Sequence, residues 1–246
     1  MKRILCAFLL SILVCGLLLA NGLSFSPVQA SSPQNGIITQ NTTWTKANSP
    51  YTLTGRVGIA TGVTLTIEPG VIVDLGEFNL EVNGTLIAQG TASEKIAFTC
   101  NYRSYVQYNG LILPYGNPSF TAENVIFNYT SIIAEGSYSN ASVNINNCRF
   151  EGNAGVGVWG STTISNSYFS GGISTKGTST ISNNLILNGV EVSGSYTLSD
   201  NTIDLRRYCF LWIWLEFLVS RQFFQTVNVP AMRKFTMPLT ISVAMS

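Results

Sequence analysis

The sequence predicts an all-β chain wound into a right-handed parallel β-helix, a single-stranded solenoid with coils of about 17–25 residues. Two observations carry that expectation. Three blocks, Gly155-Val-Gly-Val-Trp-Gly-Ser161, Gly172-Ile-Ser-Thr-Lys-Gly-Thr178 and Gly189-Val-Glu-Val-Ser-Gly-Ser195, follow one another at equal spacing, in strict register at every position. Within and between them apolar and polar residues alternate at period 2 with glycine at the corners, a period too short for a helix pair or a propeller blade. The composition agrees: 22 Gly, and charged residues at only 10% against about 25% in an average soluble domain.

Residues 1–30 read as an export signal. Lys2 and Arg3 precede an apolar run from Ile4 to Ala20, and Val28-Gln29-Ala30 offers small residues at a cleavage point before Ser31. The apolar run lies at the lower limit for spanning a bilayer, so membrane contact is expected only through this segment if it stays uncleaved. Residues 31–52 read as an N-terminal cap and first strand, with Trp44 packing over the open end that a solenoid must cover.

The β-helix is expected over 53–204. Its early coils have a longer period, as the interval from Thr64-Leu-Thr-Ile-Glu-Pro-Gly70 to Thr85-Leu-Ile-Ala-Gln-Gly90 shows. Pro69-Gly70 is the pair preferred at the centre of a type II turn. A second repeated block runs Ile145-Asn-Asn-Cys-Arg-Phe150, Ile164-Ser-Asn-Ser-Tyr-Phe169, Ile181-Ser-Asn-Asn-Leu-Ile186 and Leu198-Ser-Asp-Asn-Thr-Ile203, with a weaker copy at Ala122–Phe127. Stacked coils would turn these into internal ladders: Ile145, Ile164, Ile181 and Leu198; Phe150, Phe169, Ile186 and Ile203; Val156, Ile173 and Val190. Asn124, Asn147, Asn166 and Asn183, followed by Asp200, are expected as an amide ladder bonding along the axis.

After Asp204 the repeat stops. Residues 205–246 hold no Gly, and their basic side chains outnumber the one acid, Glu216. Two readings stay open for this atypical tail: a cap, or the product of a frameshift near residue 205, in which a shift of one nucleotide turns the Trp212 and Trp214 codons into glycine codons.

At the opening coils the chain resembles a known family. Leu53-Thr-Gly-Arg-Val-Gly-Ile59, Gly62-Val-Thr-Leu-Thr-Ile-Glu-Pro-Gly-Val71 and Leu80-Glu-Val-Asn-Gly-Thr-Leu-Ile-Ala-Gln-Gly-Thr91, leading to Lys95-Ile-Ala-Phe-Thr99, are similar to exported right-handed parallel β-helix repeat proteins of pectin-lyase-like fold. The resemblance spans about residues 37–204 and implies a secreted or cell-surface location. It does not imply one activity, because lyases, hydrolases, adhesins and proteins without known activity share that scaffold.

Several chemistries are disfavoured. The chain has no His, which removes imidazole catalysis and His-ligated metal. A net charge of +1 leaves no footprint for nucleic acid, and no cofactor or metal is implied. The resemblance implies clustered Asp residues for cleavage of acidic polysaccharides, whereas the repeat segment holds only Asp74, Asp200 and Asp204, with Glu123, Glu135, Glu151 and Glu191 scattered. No catalytic residue is assigned. Cys100 and Cys148 are expected about two coils apart, beyond the ~7 Å Cα limit of a disulfide, hence as free packed thiols.

The carbohydrate-binding candidates are Tyr102, Arg103, Tyr105, Tyr108 and Tyr115, four tyrosines around one arginine in a loop or edge strand, where rings offer apolar planes to sugars. Asn41, Asn83, Asn128 and Asn140 open glycosylation sequons. The expected function is a non-catalytic scaffold for cell-surface interaction or binding of a polysaccharide or surface glycan. The alternatives are a truncated polysaccharide lyase or glycosidase, and a passive surface-layer or adhesin fragment.

Overall fold

A computed structural model describes residues 32–100, 110–112, 117–134, 140–203, 235–237 and 241–243. They form a parallel β-solenoid of about seven turns, with a single 3-10 turn at Lys46–Asn48. Each coil has three faces. The first is built from Thr42–Trp44, Thr64–Ile67, Thr85–Gln89, Ser119–Glu123 and Ala141–Asn146, continued by 160–165, 177–182 and 194–199. The second runs through Ile72–Asp74, Ile96–Thr99, Val125–Asn128, Arg149–Glu151, Tyr168–Phe169, Leu185–Ile186 and Asn201–Ile203. The third holds shorter segments, among them Leu80–Val82, Gly110–Ile112 and Ser131–Ala134.

The expected ladders are in register. Ile145 aligns with Ile164, Ile181 and Leu198, Phe150 with Phe169, Ile186 and Ile203, and Val156 with Ile173 and Val190. One coil is longer than its neighbours. Leu65 aligns with Leu86, but the next partner of Leu86 is Phe120, because the Tyr-rich stretch is inserted between them. Rings fill the core of the second face, with Phe98, Phe127, Phe150 and Phe169 stacked at centroid distances of 5.3, 4.4 and 4.5 Å.

Corners explain the glycines and asparagines. At Gly160, Gly177 and Gly194 the strands Val156–Ser165, Ile173–Ser182 and Val190–Ser199 bend from the third face to the first without breaking the ladder. A Cβ at Gly177 would lie 2.4 Å from the carbonyl oxygen of Gly160, so the coils stack there backbone on backbone. Between the first and second faces, Asn124, Asn147, Asn166, Asn183 and Asp200 all take φ between 50° and 55°, the left-handed region that Asn and Asp tolerate best after Gly.

The amide ladder expected at that corner forms at one rung: Asn147 Nδ2 donates to Asn124 Oδ1 at 2.6 Å, whereas Asn166 Nδ2 turns to Asn146 Oδ1 at 2.9 Å. The recurring requirement is backbone conformation. A buried amide ladder lies one residue further on, where Ser167, Asn184 and Asn201 continue the apolar column of Val125 and Cys148. Asn201 Oδ1 accepts from the Asn184 backbone N–H at 3.0 Å, and Asn201 Nδ2 donates to the carbonyl of Ile181 at 2.7 Å. These amides replace side-chain packing with satisfied hydrogen bonds, which is what makes their burial tolerable.

Thr162 breaks that rule. Its Oγ1 is buried without a partner. One coil later Ser179 donates to Thr175 Oγ1 at 2.8 Å, but the residue aligned with Thr175 in the coil of Thr162 is Val158. Thr162→Val keeps the shape and removes the unpaired hydroxyl, so it is expected to raise stability by about 1 kcal/mol, measured as a higher midpoint in thermal denaturation.

The ends differ. At the start, Trp44 is buried and stacks on Tyr51 at 4.7 Å, while the backbone N–H of Thr45 donates to Tyr51 Oη. At the other end, Phe235–Met237 and Ile241–Val243 pair antiparallel with the strands of 201–203 and 196–198, so parts of the atypical tail cover the last coil's edge.

Candidate functional site

Alternation decides which side chains face out of the second face. Its inward positions are the phenylalanine ladder, which leaves Ile72, Ala97, Ile126, Arg149, Tyr168 and Leu185 as one outward column. Arg149 lies with its guanidinium carbon 4.4 Å from the Tyr168 ring centroid, within the range of a cation–π contact. Arg149 also pairs through Nε with Glu151 on its own strand. Leu185, on the next rung, is 39% exposed.

At the corner where this face meets the third, Tyr129 is 40% exposed with φ 55°. Its ring lies over Gly152, where a Cβ would come within 2.4 Å of it; glycine at that point lets the ring lie against the backbone. The Tyr129 N–H donates to the carbonyl of Glu151, and that of Cys100 donates to the carbonyl of Asn128. Cys100, which precedes the Tyr-rich stretch in sequence, is therefore one rung from Tyr129. Three neighbouring rungs of the second face and its corner thus carry Tyr129 and the amide Asn128, the Arg149–Glu151 pair, and Tyr168.

Sequence reasoning missed Tyr129, Arg149 and Tyr168. The signal was available, since Arg149 and Tyr168 occupy equivalent positions of consecutive repeats. Of the candidates expected from sequence, Tyr102, Arg103, Tyr105, Tyr108 and Tyr115 lie outside the described residues, as do the acids Glu135 and Asp204. Asn41 is exposed and its Oδ1 accepts from the Thr64 N–H at 2.9 Å. Asn83 and Asn128 are half-buried, and Asn140 is exposed.

The scattered acids have local roles. Asp74 Oδ1 accepts from the Gly76 N–H at 3.0 Å, Glu123 accepts from Asn146, and Asp200 is exposed at its corner. Among the described residues no group of three or more His, Cys, Asp or Glu gathers at one point. A separate open concavity of about 380 Å³ lies on the third face, where Ile37, Arg56, Gly58, Glu81 and Asn83 line it. Arg56 is ion-paired with Glu81 there, and Ile37 is 73% exposed.

Cys100 and Cys148 are free and buried. Burial pushes the Cys148 thiol up from 9.0 to about 12, ahead of the opposing backbone hydrogen bonds. Native protein at pH 8 is therefore expected to leave Cys148 unalkylated by iodoacetamide, while urea-unfolded protein reacts. Above pH 9 the unfolded chain releases a proton that the folded chain holds to about 12, so this thiol lowers stability as pH rises through that window and has no effect below it.

Comparison with protein-family models, with curated proteins and with solved structures finds no match to this chain.

Proposed function

We propose that this chain is an exported, non-catalytic β-helix scaffold that binds carbohydrate at the aromatic corner of its second face. The observation that carries the reading is the stack of Arg149 on Tyr168 with Glu151 paired to Arg149, flanked on the rung above by Asn128 and by Tyr129 at the adjoining corner. Rings present apolar planes with a polar tip, while guanidinium, carboxylate and amide supply the donors and acceptors that sugar hydroxyls need. The carboxylate of Glu151 is held by Arg149, an arrangement suited to holding a ligand rather than to moving protons. Export and the pectin-lyase-like affiliation rest on residues 1–30 and on the opening-coil motifs.

Affinity electrophoresis through gels containing neutral or acidic soluble polysaccharides tests this. Wild-type protein is expected to be retarded by at least one polymer, and the Tyr129→Ala/Tyr168→Ala variant to migrate freely with an unchanged circular dichroism spectrum. Equal migration of the two proteins in every gel would sink the proposal. Release of reducing or unsaturated ends from the polymer would speak for the lyase or glycosidase reading instead.

A further inference from the structure

The first face carries a different array. In the strands of 141–199 its outward positions form three columns: Ser142, Ser161, Thr178 and Ser195; Asn144, Thr163, Thr180 and Thr197; Asn146, Ser165, Ser182 and Ser199. None of these positions bears a charge or an aromatic ring, and Ser142, Asn144, Ser161, Thr163, Thr178 and Thr180 are exposed. The third column is partly tied up internally, because Ser165 Oγ donates to Asn146 Oδ1 at 3.0 Å. In the first two, Ser142, Asn144, Ser161, Thr163, Thr178 and Thr180 present hydroxyls, amide and methyls to water. The register through these strands has no bulge, so the columns run straight along the axis.

Backbone pairing therefore imposes a two-dimensional lattice on the hydroxyls. Rungs repeat about every 4.8 Å, and adjacent columns, two positions apart on a strand, stand about 6.6 Å apart. A ligand that matches one unit but does not repeat would gain little from such an array, whereas a solid with a similar repeat gains at every unit. Crystalline water has a repeat close to it. Oxygens joined tetrahedrally by hydrogen bonds of ~2.75 Å place second neighbours about 4.5 Å apart, and the stacked layers repeat about every 7.3 Å. Over the three exposed rungs the two repeats, about 4.8 and about 4.5 Å, drift by about 0.6 Å, within the reach of rotating hydroxyls. The methyls of Thr163, Thr178 and Thr180 keep the face from binding liquid water indiscriminately, and the lack of charge avoids tightly held, differently oriented hydration shells.

We infer that this face is an ice-adsorbing surface, a second function independent of the carbohydrate patch on the second face. The solid best suited to the face is crystalline water rather than polysaccharide, because no ring stands among its outward positions to stack on a sugar.

The full chain in a freezing-point osmometer tests the inference. Wild-type protein is expected to facet growing ice crystals and hold their growth below the melting point. Thr163→Lys/Thr180→Lys, which changes two outward side chains only, is expected to lose both effects while keeping its circular dichroism spectrum and melting temperature. Tyr129→Ala/Tyr168→Ala is expected to retain them, which separates failure here from failure of the carbohydrate reading. Unfaceted ice with wild-type protein overturns the inference, as does full activity in the lysine variant. Depletion by crystalline cellulose or chitin without any effect on ice would likewise overturn it, assigning the face to a solid polysaccharide.

Discussion

Gly177→Val is expected to unfold the solenoid or to destabilise it by more than about 4 kcal/mol, beyond the usual range for single substitutions. Two costs add at this position. The backbone has φ +126°, a region that a β-branched residue avoids, and the new Cβ would meet the Gly160 carbonyl oxygen at 2.4 Å and its carbon at 3.1 Å. Neither neighbour is a side chain able to move aside. Because Gly194 stacks on Gly177 as Gly177 stacks on Gly160, a shift here is passed to the coils on both sides. Gly62→Ala is the internal comparison, with φ +79° but nothing within 4 Å of the added Cβ. It is expected to cost only about 1 kcal/mol, the conformational part alone. Urea denaturation followed by circular dichroism measures both; equal losses would show that the backbone contact at Gly177 is not what constrains the corner.

Phe150→Ala has the second large effect, an expected loss of about 3–5 kcal/mol. Phe150 is fully buried between Phe127 and Phe169, with ring distances of 4.4 and 4.5 Å. Truncation leaves a ring-sized void that the backbone ladders hold open, and it breaks the stack in its middle. In a solenoid each coil contacts only its neighbours, so the two halves should lose cooperativity and the denaturation slope should fall. Phe150→Leu, which refills much of the volume, is expected to recover more than half of the loss. Unchanged stability in Phe150→Ala would remove the aromatic stack as a principal source of stability.

The repeat was readable because stacking is local. A residue in a parallel coil pairs with its counterpart one period away, so the spacing of Ile164 and Ile181 along the chain is also their pairing register. The same reasoning picked out Asn124, Asn147, Asn166 and Asn183 as a recurring set and expected an amide ladder there, which forms at one rung, while their shared left-handed backbone is what the structure adds. Side-chain type reports tolerance for positive φ equally whether or not the amides touch, and only the placement of Asn146 diverts the Asn166 amide away from its ladder. The buried amides Asn184 and Asn201 were hidden for a related reason. They follow the corner residues Asn183 and Asp200 directly, and alternation alone cannot tell whether the chain re-enters the core at that point.

The candidate site was less legible. The tyrosines that stand out by local density fall in an insertion, where no repeat constrains them. Arg149 and Tyr168 meet only because successive coils bring their positions into vertical alignment on the second face, and Tyr129 joins them from the adjoining corner, over Gly152.

The sequence by itself determined the winding of this protein, because periodic residues specify both which positions turn inward and which coil each one meets. Tertiary structure decided what the outside of the coil presents. Outward residues are under no packing constraint that shows in a single strand, so the hydroxyl lattice of the first face and the aromatic patch of the second exist only once the coils are stacked.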